Sequence, residues 1–178
     1  MRSTTTTFAL AALSFFIGCS TVPPPTMNTQ ASAELKDKDG RSVGMATFLE
    51  ATGGVLVSVE VRGLTPGLHA VHVHAVGKCE GPGFTSAGGH FNPAQKKHGL
   101  KNPDGPHAGD MPNMYVSKSG VGSYEVLNDN ISLSGGDRSL FDTDGSALVI
   151  HAGVDDNVTD PAGNAGDRVA CGVILRQP

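Results

Sequence analysis

The regular alternation of apolar and polar residues, interrupted by glycine-containing turns, is the feature of this chain that most limits its fold. In residues 55–62, four valines occupy every second position and more polar residues occupy most positions between them. Successive side chains of a strand point to opposite faces, so this run predicts a strand with one buried face. Similar runs bring the predicted total to about eight strands, and they lie at about residues 31–37, 42–50, 69–76, 113–118, 121–127, 146–151 and 169–175.

The composition of the chain also favours strands over long helices. Of 178 residues, 24 are glycine and 11 are proline, whereas aromatic residues make up only 5%. Many turns and a core of small aliphatic side chains follow from this composition. We therefore predict an all-β domain, an eight-stranded antiparallel barrel or sandwich. Two Gly-, Pro-, Asn- and Asp-rich stretches, residues 77–112 and 152–168, break the strand pattern and predict long functional loops.

The charge of the chain bears on its partners. The formal net charge is −4, and no block of lysine or arginine occurs anywhere in the sequence. Attraction to the phosphate backbone of nucleic acid therefore has no source, and we expect no nucleic-acid partner.

The first 30 residues have the features of an export signal and a linker. Residues 1–18 carry one positive charge and a short apolar stretch, and they predict a signal peptide. Phe16-Ile17-Gly18-Cys19 resembles a bacterial lipoprotein cleavage site, which predicts lipidation of Cys19 and a periplasmic or cell-envelope location. An ordinary secretory signal with an incidental cysteine is the alternative. Residues 19–30 contain three consecutive prolines and predict an extended linker, so that residues 31–178 form the folded domain.

The three cysteines agree with an exported protein. If Cys19 carries lipid, Cys79 and Cys171 remain as a pair in an oxidising compartment, where a disulfide is expected. Two buried reduced thiols are the competing interpretation. The lipid anchor would be the protein's only contact with a membrane.

Six of the seven histidines lie between residues 69 and 107, and this clustering indicates metal binding. In the loop, His90, His98, His107 and Asp110 are separated by seven, eight and two residues. Apolar burial cannot order such a polar loop, whereas three imidazoles and one carboxylate supply the four ligands of a zinc site. A solvated loop with surface histidines is the alternative.

The remaining histidines predict a second metal site. His72 and His74 point to the same face of one predicted strand, and His151 ends another. One further imidazole would complete a set of four nitrogens, which suits copper better than zinc. His90 can serve both sites, because an imidazole that has lost both ring protons can bridge two cations. Taken alone, the pair of His72 and His74 is also consistent with a polar strand face.

These blocks resemble the copper-zinc superoxide dismutase family over residues 31–176. The matching segments are GLHAVHVH (67–74), SAGGHFNP (86–93), HG (98–99), HAGD (107–110), LVIH (148–151) and GNAGDRVACGV (163–173). The resemblance implies an eight-stranded Greek-key barrel or sandwich of the immunoglobulin-like type, with one copper and one zinc per chain. It implies copper on His72, His74, His90 and His151, zinc on His90, His98, His107 and Asp110, and a disulfide between Cys79 and Cys171.

The resemblance also implies an activity and roles for two further residues. It implies dismutation of superoxide to oxygen and hydrogen peroxide, with Arg168 binding the anion and His90 taking part in the copper cycle. Asp155 would accept hydrogen bonds from His72 and His98 and so fix the two rings. A non-enzymatic copper-binding or copper-buffering protein on the same fold is the alternative. For the oligomeric state, we consider a homodimer.

Overall fold

Ten antiparallel strands form one continuous sheet in the computed structural model, which describes Met1 and residues 30–178. The predicted all-β class is confirmed. The predictions of a signal peptide and of lipidation at Cys19, and nearly all of the linker, lie outside the described residues. The strands are β1 Gln30–Asp37, β2 Ser42–Ala51, β3 Gly54–Val61, β4 Gly67–His69, β5 Val71–His74, β6 Met114–Val116, β7 Gly122–Asn128, β8 Ala147–His151, β9 Arg168–Val173 and β10 Leu175–Arg176.

The order of the strands makes the sheet a nearly closed barrel. The order is β4-β6-β7-β3-β2-β1-β9-β8-β5, and β10 pairs with β1 beside this path. The two ends of the sheet, β4 and β5, follow each other in the chain with only Ala70 between them. The first and last strands therefore lie next to each other. No helix among residues 30–178 has the length and apolar character needed to cross a membrane.

Two breaks raise the number of strands from the predicted eight to ten. At Ala70, the chain changes partner from β6 to β8, and its backbone pairs with Gly153 and His151 instead. At Ile174, pairing with β8 ends with the Ile174 amide donating to the carbonyl of Ser146 at 3.0 Å, and β10 continues the pairing with β1. Each break lies inside one of the predicted strands, 69–76 or 169–175, so the apolar pattern did not reveal it.

The core lies inside the barrel, where the predicted inward face of β3 is found. Its four valines, Val55, Val57, Val59 and Val61, are at most 1% exposed. Val57 lies between Phe48 of β2 and Val126 of β7 in the sheet register. Complete burial of each such side chain contributes about 1.5–3 kcal/mol. Small β-branched residues therefore supply most of this face, as the composition predicts.

The two predicted long loops connect β5 to β6 and β8 to β9. They span residues 75–113, with one turn of 3-10 helix at Thr85–Ala87, and residues 152–167. The first loop folds back along β5: the Val73 amide donates to the Gly109 carbonyl at 2.9 Å, and the Phe91 amide donates to the Val73 carbonyl at 2.8 Å. This pairing brings the neighbouring residues His90 and Asp110 beside the strand that carries two histidines.

Candidate metal centre

Four histidines from two strands and one loop converge at the edge of the barrel. His72 and His74 lie on β5, His151 ends the adjacent β8, and His90 comes from the long loop. All four are at most 9% exposed, and one ligating atom from each lies within 4.8 Å of the others. Strand pairing therefore brings together the residues that the sequence assigned to copper.

In each of these four rings, one nitrogen is hydrogen-bonded and the other is not. Nε2 of His72 donates to Asp155 at 2.8 Å, and Nδ1 of His74 and of His151 donates to the carbonyls of Gly88 and Gly166. The buried side-chain nitrogens without a partner among the described residues are His72 Nδ1, His74 Nε2, His90 Nε2 and His151 Nε2. Unpaired buried polar atoms are costly. Four converging lone pairs are therefore the arrangement expected of a site that accepts a metal cation.

Burial keeps these rings neutral, as metal ligands must be. Loss of solvation lowers the pKa of His72 to about 3, of His74 to about 2 and of His151 to about 4. Proton competition at these nitrogens is therefore weak at neutral pH. Four neutral imidazoles form a donor set that suits copper.

A second cluster surrounds one carboxylate oxygen of Asp110. Oδ1 of Asp110 lies 2.8 Å from His90 Nδ1, 3.0 Å from His98 Nδ1 and 3.4 Å from His107 Nδ1. The other oxygen, Oδ2, accepts the backbone amides of Gly99 and His107. Three imidazole nitrogens and one carboxylate oxygen are the donor set of a tetrahedral zinc site.

His72 also lies near this second cluster, so two choices of fourth member must be compared. Ligating atoms of His72, His90, His98 and Asp110 lie within 4.8 Å of one another. However, the Nε2 of His72 is already bonded to Asp155, and its Nδ1 is one of the unpaired nitrogens of the first cluster. The Nδ1 of His107 is only 3.3 Å from the Nδ1 of His90. We therefore favour His107 as the fourth member.

Hydrogen bonds between the histidines and the carboxylates determine the electrostatics of this second cluster. Burial alone would lower the pKa of His98, but its hydrogen bonds to Asp110 and Asp155 outweigh burial and raise the pKa to about 9. Burial of Asp110 opposes ionisation, yet hydrogen bonds from its three histidine neighbours keep the pKa of its carboxyl well below the usual range. The carboxylate of Asp110 therefore stays ionised among its histidine neighbours.

His90 is the residue that links the two clusters. Its Nδ1 faces Asp110, whereas its Nε2 is an unpaired nitrogen of the first cluster. The rings of His90 and His72 are 4.0 Å apart between centroids, and those of His90 and His107 are 5.3 Å apart. This orientation is the one that a bridging imidazole requires.

Asp155 is a second residue that links the two clusters. Its Oδ2 accepts from His72 Nε2 at 2.8 Å and its Oδ1 accepts from His98 Nε2 at 3.0 Å, which fixes the orientation of both rings. Asn113 holds the backbone of Asp155 on both sides: its amide nitrogen donates to the Asp155 carbonyl, and its oxygen accepts the Asp155 amide. Sequence reasoning missed Asn113, because a lone asparagine at the end of a loop has no distinguishing pattern.

Arg168 begins β9 beside the first cluster. Its guanidinium donates to the carbonyls of Phe84 and Gly88, both at 2.7 Å. The Gly88 carbonyl also accepts from His74 Nδ1 at 3.0 Å, so the arginine and one histidine of the first cluster share an acceptor. Sequence reasoning missed both Phe84 and Gly88, since they act here through backbone carbonyls.

The disulfide predicted between Cys79 and Cys171 is present. It connects residues 92 positions apart and ties the start of the long loop to β9. His69 lies outside both clusters, as its position in the alternation predicts. Its ring is buried and faces the backbone carbonyls of His151 and Thr65.

Comparison with known proteins gives one consistent result. The family model described as "Copper/zinc superoxide dismutase (SODC)" matches residues 42–174. A "Superoxide dismutase [Cu-Zn] 2" of Aquifex aeolicus is 50% identical over 84% of this chain and 88% of its own length. A "Superoxide dismutase [Cu-Zn]" of Caulobacter vibrioides is 47% identical over 81% and 84%.

Solved structures agree with this result. A double mutant of a SOD-like protein from Bacillus subtilis superposes with a TM-score of 0.79 at 39% identity. The match covers 81% of this chain and 96% of that protein. The likeness therefore extends over nearly all the described residues.

Proposed function

The chain belongs to the copper/zinc superoxide dismutase family, and on that premise we propose which of its residues hold each metal and which serve the substrate. The protein is an oxidoreductase that converts superoxide to oxygen and hydrogen peroxide, with copper and zinc as cofactors. When bound, copper supplies the one-electron oxidation and reduction, a chemistry that zinc cannot supply.

Copper is held by His72, His74, His90 and His151 in this proposal. The observation that carries it is the convergence of four buried nitrogens that have no hydrogen-bond partner within the described part of the chain. Zinc is held by His90, His98, His107 and Asp110, whose donor atoms meet at one carboxylate oxygen. Asp155 keeps His72 and His98 in the ring orientations that both sites need.

His90 has a second role in the proposed mechanism, as a site for a proton. Formation of hydrogen peroxide consumes two protons, and the Nε2 of His90 has no other hydrogen-bond partner among the described residues. We would expect this atom to hold a proton only in the half of the cycle in which it does not ligate copper, and to give that proton to the product, whose second proton would come from solvent. Its Nδ1 stays directed at the zinc cluster throughout.

Arg168 binds the substrate anion in this proposal. The chain is acidic overall, so superoxide is repelled at long range and needs a local positive field near the copper ligands. The side chain is partly buried, and its two hydrogen bonds to carbonyls hold the guanidinium at a defined position next to His74. A fixed cation at this position binds a small anion without first having to be ordered.

Metal content and superoxide consumption, measured on one preparation, test the function. We expect one copper and one zinc per chain, with Arg168→Ala retaining both metals while superoxide is consumed at least about tenfold more slowly. We expect His90→Ala to bind both metals more weakly, because each site loses a ligand. An intact protein that binds copper but does not consume superoxide would match the copper-buffering alternative, and zinc alone without activity would overturn the assignment.

We further propose export with a lipid anchor at Cys19 and a periplasmic or cell-envelope location. The support is the sequence of residues 1–18 and the presence of a disulfide, which is typical of oxidising compartments. Expressed from the full gene in a bacterial host, the protein is expected in the detergent phase of a Triton X-114 partition. Cys19→Ser should move it to the aqueous phase, and no change on that substitution would contradict the anchor. The homodimer stays a prediction.

A further inference from the structure

A single short turn supplies both acceptors of Arg168. The 3-10 turn Thr85–Ala87 has Phe84 before it and Gly88 after it, and the guanidinium donates to the carbonyls of these two residues. Gly88, the residue after the turn, has no side chain whose position needs an explanation. The residue before the turn is a phenylalanine, whose backbone and side chain both need an explanation.

The backbone of Phe84 has an unfavourable conformation for its residue type. Its φ of 52° and ψ of 26° lie in the left-handed region, where a residue with a large side chain is uncommon. Such a conformation persists only where the surrounding structure holds it, and it occurs preferentially at functional sites. Here it allows the Phe84 carbonyl to accept hydrogen bonds from both Arg168 and the Ala87 amide.

The side chain of Phe84 supplies the restraint. It is 2% exposed and belongs to a small apolar cluster separate from the main core. The other members are Ala87, Ala147, Val149 and Cys171, with Cys79 packed against them. This cluster connects the turn to β8, which ends in His151, and to β9, which begins with Arg168.

The disulfide alone does not fix this turn. Cys79 lies five residues before Phe84, so the covalent link holds the start of the loop while the carbonyl acceptor lies further along. Between these two residues, the backbone is held by the Phe84 amide donating to the Glu80 carbonyl at 3.1 Å. The buried ring packs the residue that carries this acceptor against both strands.

We propose that Phe84 is a positioning residue for substrate binding: its buried ring holds the turn in the left-handed conformation that directs the Phe84 carbonyl at Arg168. This inference rests on the proposed role of Arg168 in binding the anion. It predicts that a change in the side chain of Phe84 alters anion affinity through a backbone group. A role in stability alone would leave anion affinity unchanged.

Azide, a small anion, serves as the probe of this proposal. It is titrated into the copper- and zinc-loaded protein, and its affinity is measured from the change in the protein's visible spectrum. We expect Phe84→Ala to weaken azide binding by about tenfold, the effect of one lost hydrogen bond to a charged group. Phe84→Leu, which refills the cluster without branching at Cβ, should stay within about twofold of the wild type. If Phe84→Ala does not retain copper, Phe84→Val replaces it, because a β-branched residue opposes the left-handed backbone and should also bind azide about tenfold more weakly.

Phe48→Ala is the matched control, since Phe48 is also almost fully buried, at 1% exposure, but lies in the main core on β2. It should lower the melting temperature while leaving azide affinity unchanged. Equal azide affinities in Phe84→Ala and Phe48→Ala, or in Phe84→Val and Phe84→Leu, would overturn the role of Phe84. Failure of the wild-type protein to consume superoxide would instead overturn the proposed function, so the two failures are distinguishable.

Discussion

Replacing Gly163 by alanine is expected to lower zinc affinity and superoxide turnover by about 10- to 100-fold, the usual effect of disturbing a partner of a metal ligand. An added Cβ at this position would overlap Oδ1 of Asp155 and come within 2.8 Å of Nε2 of His98. Neither neighbour can yield without breaking the hydrogen bond between them. Zinc content after dialysis against a competing chelator, together with activity, measures the loss.

Gly166→Ala is the matched control for this prediction. Gly166 lies in the same loop and also has a positive φ, of 74° against 63° for Gly163. A Cβ at Gly166 would meet only the Cβ of Ala152, at 4.0 Å. Both variants therefore carry similar backbone strain, and only Gly163→Ala adds a clash with Asp155. Equal zinc affinities in the two variants would contradict the assignment of Asp155 as the partner of both rings.

Removal of the disulfide is expected to lower the free energy of unfolding of the metal-free protein by about 4.5 kcal/mol. The bond joins residues 92 positions apart, and in the chain-entropy model a loop of this length restricts the unfolded chain by about that amount. The variant is Cys79→Ala combined with Cys171→Ala, and denaturant unfolding measures the difference. Relative to a domain's usual total stability, this loss is large.

Reductant provides the control for this second prediction. It should lower the stability of the wild-type domain to that of the double variant and leave the double variant unchanged. A loss below about 1 kcal/mol in the double variant would contradict the prediction, because the constraint on the unfolded chain would then be negligible.

Much of the fold follows from alternation and turns, and the limits of that prediction are physical. Val55, Val57, Val59 and Val61 are buried as their period of two requires. The period does not encode which strand is the neighbour, and so the change of partner at Ala70 could not be predicted. The break depends on which strand the backbone hydrogen bonds reach, and the pattern of side chains does not record that choice.

In the candidate site, the side chains that bind metal could be predicted from the sequence, whereas the backbone groups that bind Arg168 could not. Its histidines and Asp110 were found from residue type and spacing, because metal coordination needs those side chains. Asp155 and Asp156 are adjacent aspartates that spacing alone does not distinguish, whereas in the structure Asp155 is 2% exposed and Asp156 is on the surface. The carbonyls of Phe84 and Gly88 were not predictable, because every residue has a carbonyl and only the loop conformation directs it.

The way the long loop closes the barrel has a consequence for the protein without metals. β5 is the last strand of the sheet, and its free edge is covered through Val73 by loop segments that carry His90 and Asp110. The residues that close this seam are therefore direct neighbours of proposed zinc ligands. We therefore expect zinc uptake to favour closure of the barrel, and a metal-depleted chain to open first along this edge and expose strand β5 to pairing with another molecule.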